Sequence, residues 1–497
     1  MSDISEQLFH AFDIRIDSSL FTTEVATRLA HAEAYYFLND LKVNSIVLSR
    51  DARESGSSNL ELLSSLFSSF GFTVYLNPNP ISTCLFYYSA MEKRESAGIM
   101  IGASHNPKSY TGQKLVAPYC TPIAKDGALD IIEGYFKDER KVDISDKGKI
   151  IFIDYKNQYL KESLEYLGLS QVKEEKLSLL VDFLSGSASN EIPYALEKLK
   201  INVSYLNFIP NGSFPSGNPN PIISSSTVKT REALKQVSYD FALLYDGDGD
   251  RIDILDKNGI EIPPSIVFAF ILPYLDKSLF KSKTVCLDPK ASPLIHSYIA
   301  SLGYNTFLVP NGHSKIKSIL QEYKDEHFLF AVEESGHYYL NYFKDGEVFS
   351  IENTLIITLA FIKAYRENPQ LLNKLIELQE SFIRDKEWGF FFESREEREQ
   401  ALQTIASNFK EKGYLIQDKL KNGKSLESTL IKLNLPLSYS STTKLGPIWL
   451  QIAQRASESE LYLGRWELLS SSSTLLEEAK ASIKQVLTYY KGKFYIG

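Results

Sequence analysis

Short apolar runs rich in β-branched residues alternate with longer stretches of helical period, and this alternation constrains the fold more than any other feature of the chain. VNSIVLSR (43–50) is followed by NLELLSSLFSSFGF (59–72) and TVYLNP (73–78), the strand, helix and strand of a β-α-β unit. The pattern restarts after the charged stretch KDERKVDISDKGK (137–149), with IIFIDY (150–155), a helical stretch near 156–167 and the apolar run LSLLVDFL (177–184). A third round begins with TVCLDP (284–289), a helix near 292–302, NTFLVP (305–310) and HFLFAVE (327–333). From about 370 the pattern changes to a heavily charged helical stretch, SREEREQALQTIASNFKEKG (394–413), then isolated strand-like runs and a final helix near 474–490. The expectation is an α/β protein: three related α/β domains (1–148, 149–255 and 256–368) and a C-terminal α+β domain (369–497). A length of 497 residues accommodates roughly three or four domains. The segment PNGSFPSGNPNPIISSS (210–226) is too rich in Pro, Gly, Asn and Ser for regular structure.

With 43% hydrophobic and 23% charged residues the composition is that of a globular chain. A net charge of -8 argues against a general nucleic-acid binder, which carries a basic surplus. The opening MSDISEQLFHAFDIRIDSSL lacks a basic segment followed by an apolar one, and no eighteen-residue apolar run occurs, so a cytoplasmic protein without a membrane span is expected. Cys84, Cys120 and Cys286 are few and far apart, which favours small core residues over a disulfide framework.

Chemistry concentrates in loops that follow predicted strands. Asp246-Gly-Asp-Gly-Asp-Arg251 follows the buried-strand run FALLY (241–245). Three carboxylates at alternate positions, spaced by glycines, can fold round one hard cation, and an all-oxygen donor set suits magnesium or calcium rather than zinc. A calcium EF-hand loop needs Gly at position six and a carboxylate at position twelve, where this chain has Arg251 and Lys257; an acidic hairpin turn is the bland alternative. Gly102-Ala-Ser104-His105-Asn106-Pro107 follows AGIMI (97–101), with Lys114 ten residues after the serine. A serine at a strand end beside a histidine is a plausible nucleophile, although SHNP alone reads as a turn and no G-x-S-x-G elbow is present. Glu333-Glu-Ser-Gly-His337 would sit at the carboxyl end of a sheet strand, where open α/β sheets bind ligands. Arg455-Ala-Ser457-Glu-Ser459 combines an arginine with two hydroxyls that could hold a phosphate dianion.

Taken in order, these segments resemble the α-D-phosphohexomutase superfamily, and within it the bacterial phosphomannomutase/phosphoglucomutase subgroup. FHAFDIRI (9–16), SRDARES (49–55), GASHNPKSYTGQKL (102–115), GSFPSGNPNP (212–221), DGDGDR, DPK, GHSKIK, EESGH and RASES are similar to successive motifs of that group along essentially the whole chain. The resemblance implies mixed sheets in the three α/β domains, four domains arranged around a central cleft, and a phosphoserine at Ser104, which would also be a metal ligand. It further implies magnesium held by Asp246, Asp248 and Asp250, an active-site Arg251, and a phosphate or proton-transfer role for Lys114, with His105 or His337 as alternatives. Substrate contacts would come from Arg15, Lys290, His313, Glu333, Ser335, His337, Arg455, Ser457 and Ser459. The implied reaction interconverts hexose 1-phosphate and hexose 6-phosphate, of glucose or mannose, through a hexose 1,6-bisphosphate, by a monomer or dimer with small-molecule partners only. EESGH and FDIR point away from the phosphoglucosamine branch. Phe12 replaces a tyrosine usual in the subgroup, Gly102 a threonine, and Glu458 a neutral Asn or Gly. A sugar-phosphate binder without turnover and a phosphosugar phosphatase are the rival readings.

Overall fold

The computed structural model describes residues 4–145, 147–169, 176–275, 283–322, 330–457, 460 and 462–496. Among them, three mixed sheets share one plan. In the first, strands Ser45–Arg50, Thr73–Pro80, Ala97–Ile101, Tyr110–Ala117 and Thr121–Pro122 lie in the spatial order second, first, third, fourth, fifth. The first three run parallel and the last two turn back antiparallel. Strands Ser178–Asp182, Asn202–Leu206, Phe241–Tyr245, Ile252–Asp256 and Glu261–Ile262 repeat that order and those senses. So do Thr284–Leu287, Asn305–Leu308, Phe330–Glu333, His337–Lys344 and Glu347–Glu352. The consequence for chemistry is direct. The Ser104 loop, the Asp246–Arg251 loop and the Glu333–His337 turn all occupy the same position in the repeated plan, the reversal after the third strand.

Each expected domain bound stops one element short. Lys149–Phe152, expected to open the second unit, pairs parallel with Thr73–Leu76 and extends the first sheet. Glu261–Ile262 completes the second sheet. The helix Pro369–Glu380 buries Leu372 and Leu375 in the same core as Ile266 and Phe270 of the helix Pro264–Ile271. A β-α-β alternation marks where a unit starts, but trailing pieces of two to four residues, or a helix with only two buried leucines, carry too little pattern to show which neighbour they join.

The helix Thr83–Glu92 explains how the first three units hold together. Its sequence TCLFYYSAME is apolar on all sides, as a helix must be when it is surrounded by protein, and every residue but Glu92 is buried. Phe86, Tyr87 and Tyr88 enter a core shared with Val181, Tyr245, Ile252, Phe330 and Ile351 of the next two units. Burial of each such aromatic contributes about 2–3 kcal/mol. Ser82 caps this helix by accepting from the Leu85 amide at 3.0 Å. The three cysteines are buried, as expected for core residues.

The fourth unit is a six-stranded antiparallel sheet, ordered Leu415–Lys419, Ser425–Leu433, Leu450–Ala456, Leu463–Ser470, Ile383–Phe392 and Gly492–Ile496. The helices Arg395–Glu411 and Ser473–Leu487 pack on it through Ile405, Phe409 and Ile483, against Ile452 and Trp466. No helix among the described residues is long and apolar enough to cross a membrane.

Candidate active site

Ser104 sits in the reversal after strand Ala97–Ile101 with φ of 49°, in the left-handed region. An L-residue held there is unusual and marks a backbone fixed by its surroundings. Arg53 supplies that constraint. Its guanidinium, 1% exposed, donates to the carbonyls of Ala103 at 3.3 Å, Ser104 at 2.9 Å, Asn106 at 2.6 Å, Pro107 at 2.7 Å and Tyr110 at 3.1 Å. Asp51 holds Arg53 through an Nε–Oδ2 pair of 3.1 Å. Gly102 is required beside them, because a Cβ there would lie 2.6 Å from Asp51 Oδ2. Arg53→Ala is expected to strand the buried Asp51 carboxylate and to lower stability by ~3–5 kcal/mol. The check is a denaturant midpoint, with Arg53→Lys recovering only part of the loss because one ammonium cannot reach all five carbonyls.

The acidic loop meets this serine from the second unit. Ser104 Oγ lies 3.4 Å from Asp246 Oδ2 and 3.2 Å from His105 Nδ1. The loop's glycines are needed for the approach: a Cβ on Gly247 would stand 2.8 Å from the Ser104 carbonyl oxygen, and Gly249, at φ of 71°, has Ala188 Cβ 2.7 Å from where its own would be. Asp246, Asp248 and Asp250 are buried and offer carboxylate oxygens all within 4.8 Å of one another. Two like charges about 4 Å apart repel by about 4 kcal/mol at an effective dielectric near 20, so the cluster requires cations. Lys114 provides one, its ammonium donating to Asp248 Oδ2 at 2.7 Å and also to Asp250. Helix Thr83–Glu92 supplies its N-terminal pole, Thr83 Oγ1 donating to Asp248 Oδ2 at 2.6 Å. Asp248 Oδ1 stays buried without a hydrogen-bond donor, and the donors are all oxygens, so the residues fit a hard divalent cation such as magnesium.

Charge within the cluster is unevenly held. Burial, reinforced by Asp248 and Asp250, pushes the Asp246 carboxyl well above the ordinary range. Burial would also raise Asp250, but Lys114 and His337 hold it well below. The same two carboxylates keep Lys114 protonated against its burial. His105 is driven well below the usual imidazole value by burial and by Arg251, and stays neutral.

Arg251 closes the loop, its amide donating to Asp246 Oδ1 at 3.2 Å, and forms an antiparallel bridge with His337 of the third unit. That bridge brings the EESGH turn to the metal-type cluster: His337 Nε2 is 3.5 Å from Asp250 Oδ1 and its Nδ1 is 2.9 Å from Ser335 Oγ. Glu333 Oε2 accepts from Tyr339 at 3.1 Å. His313 stacks parallel to His337 at 6.5 Å and meets the edge of Phe12 at 5.4 Å. Phe12 packs so closely on Gly312 that a Cβ there would be 2.3 Å from Phe12 Cζ. Arg15 is held by Asp13 at 2.6 Å and by Asn106 at 2.9 Å.

These groups line one cleft of ≈ 690 Å³ to which all four units contribute, with Arg15, Ser104, Lys114, Arg251, Ser335 and Arg455 on its walls. Of the expected residues, His105, His313, Glu333, His337 and Ser457 line it as well. The three aspartates are not among its lining residues but contact two that are, Ser104 and Lys114. Lys290 is outside the lining, 3.9 Å from Asp288 Oδ2. Ser459 and Glu458 lie outside the described residues.

The fourth unit's contribution differs most from expectation. Arg455 and Arg465 are direct cross-strand partners, a like-charge pair that is unfavourable unless neutralised. Glu387 neutralises it, accepting from Arg455 Nη2 at 3.0 Å and from Arg465 Nη1 at 2.7 Å. Glu387 falls where the register of strand Ile383–Phe392 shifts between Asp385 and Trp388, a bulge that re-aims a side chain. Glu460 accepts from Arg465 Nη2 at 3.0 Å and from Ser457. A phosphate held by Arg455 and Ser457 would therefore take over hydrogen bonds that two carboxylates now receive. Although burial alone would raise it, Arg455, Lys290 and Arg465 bring Glu387 down to about 2. A carboxyl lowered on folding stabilises above its unfolded value near 4.5 and loses that contribution as pH falls through about 2. Glu387→Gln should be less stable than the parent by ~3 kcal/mol at neutral pH, the gap closing across that window. Intrinsic fluorescence reads it, because Trp388, Trp449 and Trp466, the chain's three tryptophans, all lie in this unit.

Family models for the phosphoglucomutase/phosphomannomutase alpha/beta/alpha domains I, II and III match residues 6–142, 157–259 and 263–381. A phosphomannomutase of Methanocaldococcus jannaschii is 26% identical over 369 residues, 74% of this chain and 78% of the relative. A probable phosphoglucosamine mutase of Methanosphaera stadtmanae is 32% identical over 317 residues, 63% of this chain and 67% of the relative. In fold, the chain is similar to a phosphoglucomutase/phosphomannomutase family protein of Burkholderia thailandensis, with a TM-score of 0.78 at 19% identity over 98% of both chains. The matched models span most of the chain, and it belongs to the phosphoglucomutase/phosphomannomutase family of phosphoryl-transferring mutases.

Proposed function

We propose that the chain interconverts hexose 1-phosphate and hexose 6-phosphate by passing a phosphoryl group through Ser104. The observation that carries this reading is the 3.4 Å approach of Ser104 Oγ to Asp246 at the floor of the four-walled cleft. In the forward step the phosphorus–oxygen bond to Ser104 breaks as one forms to the sugar hydroxyl, which gives up its proton while the serine oxygen regains one. His105, 3.2 Å from that oxygen, is the group best placed to move the proton. Lys114, fixed between Asp248 and Asp250, serves as a standing positive charge. Asp246, Asp248 and Asp250 would hold magnesium, which supplies charge neutralisation for the transferring phosphoryl group. Arg251 adds a donor on the same side.

Arg455 and Ser457 would hold the substrate's other phosphate, and Glu333 with Ser335 would accept and donate to sugar hydroxyls. The resulting hexose 1,6-bisphosphate must turn over before the second transfer, which a cleft of ≈ 690 Å³ permits. The relatives' names cover mannose, glucose and glucosamine phosphates, so the sugar is set by assay. Coupled assays with glucose 1-phosphate, mannose 1-phosphate and glucosamine 1-phosphate should each be read with and without the matching bisphosphate. Turnover of at least one, stimulated by bisphosphate, is expected. Release of inorganic phosphate in proportion to substrate would instead indicate hydrolysis.

A further inference from the structure

A second cavity, of ≈ 390 Å³, lies away from the cleft where the third unit's edge strand Asn305–Leu308 faces the fourth unit's edge strand Leu415–Lys419. Most of its wall is apolar, with Leu308, Ile416, Leu420 and Leu430 among the lining residues. Among its polar lining residues, which include Gln417, Asp418 and Gln451, three buried ones stand out. Lys432 is 2% exposed and donates to Gln417 Oε1 at 2.8 Å and to the Pro436 carbonyl at 3.2 Å. It pairs with no carboxylate among the described residues, and burial brings its ammonium down to about 8. His296 and Tyr439 stack at 5.0 Å. Among the described residues, neither His296 Nδ1 nor the Tyr439 hydroxyl, both buried, has a hydrogen-bond partner, and both residues line the cavity.

A buried ammonium lacking a counter-charge is costly, as is each buried polar atom left unmatched. Here the three occur together around one space, and the exposed residues lining it, Lys419, Lys421 and Asp418, carry two positive charges to one negative. We infer that this cavity is a second ligand site, for a small organic anion whose carboxylate or phosphate head meets Lys432, Tyr439 and His296 while an apolar or ring body fills the remainder. Such a ligand would touch both units at once and tie the fourth unit, which carries Arg455, to the third. Nothing in the inference depends on the chemistry at Ser104.

Benzoate and phenyl phosphate are suitable probes, with benzyl alcohol as the uncharged control, titrated calorimetrically into the full-length protein at pH 7. At least one anion should bind ten-fold or more tightly than the alcohol. Binding by benzoate alone would identify a carboxylate site, and by phenyl phosphate alone a phosphate-ester site. Lys432→Met should weaken the anion at least ten-fold and Tyr439→Phe several-fold, both variants retaining hexose-phosphate turnover as evidence of folding, while Arg455→Ala should leave this binding unchanged. If neither anion binds better than the alcohol, or if Lys432→Met and Tyr439→Phe both bind as the parent does, the site is not what we infer.

Discussion

Ser104→Ala should reduce hexose-phosphate interconversion by 10⁴-fold or more, to the background of the assay, while leaving the fold and substrate binding nearly intact. The side chain contributes little to packing. Its hydroxyl makes only long contacts, 3.2 Å to His105 and 3.4 Å to Asp246, whereas the loop's shape comes from the five carbonyls held by Arg53. Removing a nucleophile eliminates the covalent route altogether, and such losses commonly exceed those from removing a stabilising donor. The prediction therefore separates kcat from stability: steady-state rates collapse, and a thermal unfolding midpoint moves by no more than a degree or two. A binder without turnover would show no rate to lose.

The second large effect is expected at the carboxylate cluster. Asp248→Asn should lower kcat by about 10³-fold or more, the size of a lost charge-stabilising contact in a transition state. Chelation of divalent cations should do the same to the unmodified protein, with magnesium restoring activity to the parent and not to the variant. Asp248 is chosen because its Oδ2 serves two partners, Thr83 at 2.6 Å and Lys114 at 2.7 Å, while its Oδ1 faces no donor among the described residues. An asparagine keeps the shape and the Thr83 contact but removes the charge. If chelation leaves the rate unaltered, the three carboxylates act as a structural counter-charge to Lys114 alone.

The parts legible in the sequence are those whose residues are consecutive. Asp246 to Arg251, Ser104 with His105, and Glu333 to His337 each lie in one reversal after a strand, so their chemistry could be read before any contact was known. The repeated strand plan adds why they converge: each reversal lies at the same end of its third strand, and the bridge between Arg251 and His337 joins two of them. Other parts depend on pairing. Arg465 meets Arg455 only through strand register, and Glu387 reaches both only through a bulge; neither register nor bulge has a local sequence signature here. Arg53 is visible as part of SRDARES, but its grip on five carbonyls depends on burial. Lys149–Phe152 and Pro369–Glu380 joined different units from those expected because edge strands and short amphipathic helices take their partner from tertiary packing.

The central claim, that the phosphoryl group travels through Ser104, is tested most directly by following the group itself. The protein would be charged with labelled hexose 1,6-bisphosphate, freed of small molecules, and the peptide carrying Ser104 analysed by mass spectrometry before and after addition of unlabelled hexose 1-phosphate. The account predicts label on Ser104 that leaves on addition of substrate and appears in hexose 1,6-bisphosphate. Interconversion that proceeds while Ser104 stays unlabelled, or label that leaves only as inorganic phosphate, would contradict it.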